Sequence, residues 1–228
     1  MVKRISTGIP GFDKAIQGGL VENSVNLLSG GTGTGKSIFS MQFLFNGAKE
    51  FKEKGLYISL EEPEEQLKAE AKDFGFDFDK VSKKVRFVYM PPYGIVNFLD
   101  PLIRQIERFK PDRVVIDSLT ALVIPLEDDY ERKKEIFGII QTLKKLKCTS
   151  ILTSEIPNSG DEESSGKFSR FGVEEFLCDG LIVMHYAGIG GESDRAIRVV
   201  KMRQTNHTKG PISMTMGKSG IRVLKTKY

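Results

Sequence analysis

Residues Gly30-Gly31-Thr32-Gly33-Thr34-Gly35-Lys36-Ser37 fit the pattern G-x-x-x-x-G-K-[ST] in full. The spacing suits one kind of chemistry. Glycines let the backbone turn so that successive N–H groups point inward around a β-phosphate. The start of a following helix adds partial positive charge. Lys36 then supplies a point charge to the β- and γ-phosphates, and the Ser37 hydroxyl is a magnesium ligand.

Other residues could complete such a site. Asp117 closes the apolar run Val114-Val115-Ile116, and an acid at the carboxyl end of a parallel strand can hold magnesium through water. Beside a phosphate loop that reading outweighs a turn-capping aspartate. Glu61-Glu62 directly follows another short apolar run, Leu56–Leu60, where a base could orient water opposite the leaving group. Two close carboxylates raise each other's proton affinity, so one can face the water while the other points elsewhere. Glu64 and Glu65 read instead as an acidic first helical turn. Thr153-Ser154-Glu155 could sense a γ-phosphate or simply be polar residues at a strand end. Lys201-Met202-Arg203 would place two cations on one side of a strand, which suits a triphosphate or a charged edge strand equally.

Placing these residues requires strands that end where the chemistry begins. Short β-branched runs alternate with amphipathic stretches, the pattern of a mostly parallel sheet covered by helices. Val25–Ser29 reads as the strand feeding the glycine loop, and Ser37 to about Lys52 as a helix with Phe39, Phe43 and Leu44 on one face, stopped by Gly55. Further strands are expected at Leu56–Leu60, Val85–Tyr89, Arg113–Asp117 and Ser150–Ser154, with helices at Glu64–Phe74, Phe98–Phe109 and Tyr130–Lys147. Pro157–Arg170 reads as a surface loop. Runs at Leu181–His185, Ala196–Met202 and Ile212–Met216 leave no room for helices between them, so the sheet should finish with antiparallel strands. The expected architecture is α/β, in one domain over residues 1–228, with no repeat and no linker.

Composition bounds the rest. The chain has 228 residues, 39% hydrophobic and 28% charged, enough for a core without disulfide or metal staples. The net charge of +4 permits an anionic partner without requiring one. Cys148 and Cys178 form no CxxC pair and have no histidines at ligand spacing, which disfavours zinc and suits reduced cytosolic thiols. No apolar run is long enough to cross a bilayer, and Met1-Val2-Lys3-Arg4 leads into polar sequence. A cytoplasmic protein without membrane attachment is expected.

Together these motifs resemble the KaiC-type branch of the RecA-like P-loop ATPases. Ser6-Thr7-Gly8-Ile9-Pro10-Gly11-Phe12-Asp13 and Gly18-Gly19-Leu20 resemble the segment leading into that family's first core strand. Glu61-Glu62 matches its tandem catalytic glutamates and Ile116-Asp117-Ser118 its Walker B strand. Arg170-Phe171-Gly172-Val173-Glu174-Glu175-Phe176 and Lys201-Met202-Arg203, then His207, resemble its later signatures. The resemblance implies a RecA-like core that binds ATP or ADP with Mg2+, the nucleotide held by Gly31, Thr32, Gly33, Thr34, Gly35, Lys36, Ser37 and Ile38. It implies Ser37 and Asp117 as metal ligands and Glu61, Glu62 and Lys36 as catalytic residues. It also implies a homo-oligomer, a hexameric ring with nucleotide between neighbours. Lys201 and Arg203 would reach the next subunit's phosphates, with Thr205 and His207 near the same interface. The clock protein that gives the family its name has two such domains, and this chain has one; Lys218 stands where an acid is expected near the base.

Three functions compete. The first is a slow ATPase acting as a ring-forming switch. The second is a DNA-strand-handling ATPase, disfavoured because Asp161, Glu162 and Glu163 offset Lys167 and Arg170 in the loop that would track the strand. The third is an autophosphorylating module read by a protein partner, with Ser164, Ser165 or Ser169 as acceptor.

Overall fold

The computed structural model describes residues 2–92, 97–156, 167–188, 190 and 194–224. The strands are β1 (Arg4–Ile5), β2 (Leu20–Val21), β3 (Val25–Gly30), β4 (Gly55–Ser59), β5 (Val85–Tyr89), β6 (Arg113–Asp117), β7 (Thr149–Glu155), β8 (Gly180–Tyr186), β9 (Arg195–Met202), β10 (Pro211–Gly217) and β11 (Gly220–Val223). The helices are α1 (Phe12–Ala15), α2 (Lys36–Glu50), α3 (Glu64–Asp73), α4 (Leu99–Phe109), α5 (Leu119–Val123), α6 (Asp129–Lys145) and α7 (Glu174–Leu177), with a 3-10 turn at Phe78–Val81.

Nine strands form one sheet in the order β11-β10-β9-β8-β3-β7-β6-β4-β5. From β8 to β5 every pairing is parallel. From β8 outward through β9, β10 and β11 every pairing is antiparallel. The expected α/β architecture with an antiparallel finish is what the chain adopts.

Helices cover both faces, so the central strands read as nearly continuous apolar runs. Alternate side chains enter separate cores. Leu28, Tyr57 and Val115 face the layer containing α2. Leu27, Leu56, Ile58, Val114 and Ile116 face the layer containing α4 and α6. Phe98, Leu102 and Ile106, at helical spacing, are buried in that second core.

Two expectations about α2 need correction. Its residues from Ile38 through Ala48 are all buried, not just one apolar face, because the helix packs on the central strands, on β11 at the sheet's other end and on the 3-10 turn at Phe78–Val81. Gly55 does not stop it. The helix ends at Glu50, Lys52 takes a left-handed φ of 63°, and Gly55 opens β4.

Arg113 explains why the polar motif at residues 6–13 is needed. Its guanidinium is fully buried, donating to Glu53 at 2.5 Å, to the Phe43 carbonyl at 2.7 Å and to the Ser6 carbonyl at 2.8 Å. Those three bonds compensate the desolvation of its charge. Gly47 leaves room for it, since a Cβ there would lie 2.4 Å from the Arg113 Nε. Asp13 in turn accepts from the Ser6 hydroxyl at 2.5 Å and the Thr7 hydroxyl at 2.6 Å. That opening motif is therefore a structural knot that fastens the chain before β3.

Candidate nucleotide site

The ends of β3, β4, β6 and β7 lie side by side, since Gly30 is paired with Glu155 and Ser59 with Asp117. Every acid expected to do chemistry follows or closes one of these strands. The glycine loop leaves β3 here and re-enters the chain as α2, with Gly33 (φ 73°) and Gly35 (φ 99°) in left-handed conformations. Gly35 N-caps α2 without a side-chain cap, which leaves the first amides of the helix free for an anion. Thr34 is turned back into the loop, its hydroxyl donating to the Gly31 carbonyl at 2.9 Å. Thr32 and Gly33 are exposed, whereas Ile38 is buried.

Lys36 folds over this loop and donates to the carbonyls of Gly30 at 2.9 Å and Gly31 at 3.0 Å. Burial lowers its pKa, opposed by the negative charges of Glu155, Asp117 and Glu61. The ammonium thus sits at the focus of the acids that follow the neighbouring strands.

Tyr57 organises the expected metal ligands. Its hydroxyl donates to Asp117 at 2.5 Å and also contacts the Ser37 hydroxyl. Thr153 donates to the other Asp117 oxygen. Ser37 and Asp117 are therefore brought to one point, and two hard oxygens fit magnesium, which takes its remaining ligands from phosphate and water. Asp117 and Ser118 are joined by a cis peptide.

The two glutamates differ. Ser118 donates to Glu61 Oε1 at 2.5 Å while also capping α5 through Ala121. Glu62 is half-buried, and its Oε2 is buried without a partner among the described residues. Burial raises the Glu62 pKa first, and repulsion from Glu70, Asp117 and Glu61 adds to it. A buried carboxylate oxygen lacking a hydrogen bond is costly unless something arrives to use it.

The third segment, Thr153-Ser154-Glu155, divides. Thr153 and Ser154 are fully buried and bonded within the protein, so neither hydroxyl is available to a ligand. Glu155 alone stands partly open at the edge.

Lys201 and Arg203 do not join this site. Lys201 pairs with Leu181, level with Leu27, and Met202 pairs with Gly180. That places them toward the opposite end of β3, roughly 10 Å along the strands from Gly30. The expected alignment of the two cations on one strand face also fails, because β9 ends at Met202. Lys201 Nζ donates to the Glu175 carbonyl at 2.7 Å, and Arg203 lies 3.6 Å from Asp179. Burial lowers the Lys201 pKa, with Arg203 repulsion next. Thr205 accepts from Arg4 at 2.9 Å. His207 is largely buried, with Nδ1 at 3.0 Å from the Thr208 carbonyl.

One residue at the loop escaped sequence reasoning. Arg195 Nη1 donates to the Gly33 carbonyl at 2.7 Å while its guanidinium stacks on Tyr186 at 3.9 Å. Its position opposite Tyr186 depends on the β8–β9 register, for which the sequence carries no signal. Ser164 and Ser165, and most of the Pro157–Arg170 loop, lie outside the described residues. Ser169 is fully buried and bonded to Glu174 and Glu175, which removes it as an accessible phosphoryl acceptor in this conformation. Cys148 and Cys178 are free and buried, and burial pushes the Cys148 thiol up to about 11. Among the described residues, no helix is long and apolar enough to cross a membrane, and no cluster of three His, Cys, Asp or Glu side chains could hold a metal.

Comparison with known proteins agrees with the fold. A family model described as the KaiC ATPase matches residues 5–228. The chain is 31% identical over 234 residues to the circadian clock oscillator protein KaiC of Parasynechococcus marenigrum, covering 97% of this chain and 45% of that protein. It is 32% identical over 237 residues to the circadian clock protein KaiC3 of a Synechocystis species, covering 98% and 46%. It therefore spans less than half the length of these relatives. Its fold matches a crystal structure of a KaiC-like protein from the hyperthermophilic archaeon Pyrococcus horikoshii, with a TM-score of 0.88 and 36% identity, covering 99% of this chain and 100% of the other.

Proposed function

Because the chain belongs to the KaiC family of ATPases, we propose that it binds ATP with Mg2+ on the loop at Gly30–Ser37 and hydrolyses it slowly, working as a ring-forming homo-oligomeric switch. The observation that carries this reading is the meeting of Lys36, Ser37, Asp117 and the Glu61-Glu62 pair at one sheet edge, with the Glu62 Oε2 buried and unpartnered among the described residues.

The amides from Gly31 to Ile38 bind the phosphates, and Lys36 exchanges its two loop carbonyls for β- and γ-phosphate oxygens. Ser37 and Asp117 would hold magnesium, which supplies neutralisation of the charge on those oxygens. Glu62 orients the attacking water and takes its proton, while Glu61, fixed by Ser118, holds the edge of the pocket. The trans cations are Lys201 and Arg203. Their location away from their own loop supports service to a neighbouring copy's nucleotide, with Thr205 and His207 shaping that surface. A protein partner that reads the nucleotide state is compatible with this switch, whereas Asp161, Glu162 and Glu163 in the loop that would track a single strand disfavour DNA.

The test joins sizing with catalysis. Light scattering with and without Mg-ATP, alongside phosphate release, should show assembly stabilised by nucleotide and turnover lost in the Glu61→Gln/Glu62→Gln variant. Phosphate release unchanged in that variant would overturn the proposal.

A further inference from the structure

Glu174 is completely buried, and the hydrolysis described above does not use it. Burial raises its pKa, while hydrogen bonds from Ser169 and Ser154 pull the other way. Its Oε1 accepts from the Ser154 hydroxyl at 3.3 Å, and its Oε2 from the Ser169 hydroxyl at 3.1 Å.

Followed toward the nucleotide edge, these bonds reach the catalytic residues. The Ser154 hydroxyl lies 3.3 Å from the Thr120 hydroxyl, which accepts from the Glu155 amide at 3.0 Å. Thr120 is in α5, the helix capped by the same Ser118 that holds Glu61. Followed the other way, Ser169 also donates to Glu175 Oε1 at 3.0 Å, which accepts the Phe168 amide at 2.6 Å. The carbonyls of Glu175 and Phe176, within α7, receive Lys201 Nζ at 2.7 and 3.4 Å.

We propose that Glu174 is a positioning residue. It anchors the short helix α7 to the end of β7, so that the α7 carbonyls hold the Lys201 ammonium where a neighbouring copy's triphosphate meets it. A four-residue helix has too few internal hydrogen bonds to fix its own orientation, and a buried carboxylate bonded on both oxygens fixes it instead. One subunit's hydrolytic edge and its service to the next are thereby joined through a continuous set of bonds. This inference rests on the reading of Lys201 as a trans cation.

The experiment is a double-mutant cycle on the full chain, read by steady-state ATP hydrolysis and thermal melting. Lys201→Ala is expected to lower kcat by about 10³-fold or more, and Glu174→Ala by about tenfold with KM nearly unchanged. Glu174→Gln keeps an acceptor for one serine and should recover most of that loss. The double variant should be no slower than Lys201→Ala alone, because both changes remove one function. Losses that multiply in the double variant, or a folded Glu174→Ala with full kcat, would overturn the proposal while leaving the ATPase reading intact. Full kcat in Lys201→Ala would overturn the trans-cation reading and this inference with it. Should Glu174→Ala fail to fold, Ser154→Ala takes its place in the cycle, with a few-fold loss expected only while Lys201 is present and additive losses counting against the proposal.

Discussion

The two ends of β3 carry opposite kinds of site. At its carboxyl end, Lys36 bonds the glycine loop, Asp117 accepts from Tyr57 and Thr153, and Glu61 accepts from Ser118, all within a single chain. At its amino end, Lys201 is tethered to the α7 carbonyls, while Arg203 lies 3.6 Å from Asp179 and lines a pocket with Asp179 and Glu22. The first end presents the free first amides of α2 beside a lysine, whereas the second holds its two cations on α7 carbonyls and beside Asp179. Parallel strands account for the first, since they bring all their carboxyl ends to one edge. The antiparallel return of β9 accounts for the second, because it carries Lys201 away from the loop that Arg195, at the same strand's start, touches.

The sharpest way to break this contrast is complementation. Lys36→Ala should lose nucleotide binding, with hydrolysis down by about 10²- to 10³-fold, and Lys201→Ala should lose turnover by about 10³-fold or more. Mixed in equal amounts and reassembled, the two should recover a measurable fraction of wild-type phosphate release, since some interfaces pair an intact loop with an intact cation. If the cations act on their own loop, the mixture stays as inactive as its parts.

The glutamates sharpen the carboxyl end. Removing the base should lower kcat by about 10²-fold and leave nucleotide binding in place. Because burial and neighbouring charge raise the Glu62 pKa, its base form is lost on acidification earlier than for an ordinary glutamate. Turnover should therefore rise with pH through a limb above the usual carboxylate range, and Glu62→Gln should abolish that limb while Glu61→Gln retains it. A limb unaffected by Glu62→Gln would assign the base elsewhere.

The smallest expected effect concerns Arg195. Its bond to the Gly33 carbonyl and its stacking on Tyr186 steady the loop, so Arg195→Ala should raise the KM for ATP roughly threefold with kcat retained, an effect screened by salt because the group is partly exposed. Arg195→Lys should recover little, since an ammonium does not reproduce the planar stacking. An unchanged KM would show that the loop holds its shape without it.

Much of the core was legible in the residues because its signals are local. Val85–Tyr89 and Arg113–Asp117 carry strand composition and end at turn signals, and their observed bounds match expectation. Short elements were not legible. Strands β1 and β2 have two residues each, and α1, α5 and α7 have four or five, too few for a period to register. The burial of α2 on every side was hidden for a different reason, since Ser40, Gln42 and Asn46 imitate a solvated face. Gln42 instead bonds the amide and carbonyl of Ile221 in β11, at 2.7 and 3.0 Å, which no local pattern foretells.

The amino-acid sequence by itself determined the glycine loop and the acids that follow the strands, because backbone freedom at glycine and charge at Lys36, Asp117, Glu61 and Glu62 are properties of those residues. Only the tertiary structure decided which groups meet. It separated Glu61, occupied by Ser118, from Glu62, left with an open oxygen, and it turned Ser154 inward to Glu174. It also sent Lys201 to the far end of the sheet. Such outcomes depend on strand order and register, which arise from long-range packing and are not encoded at any single position.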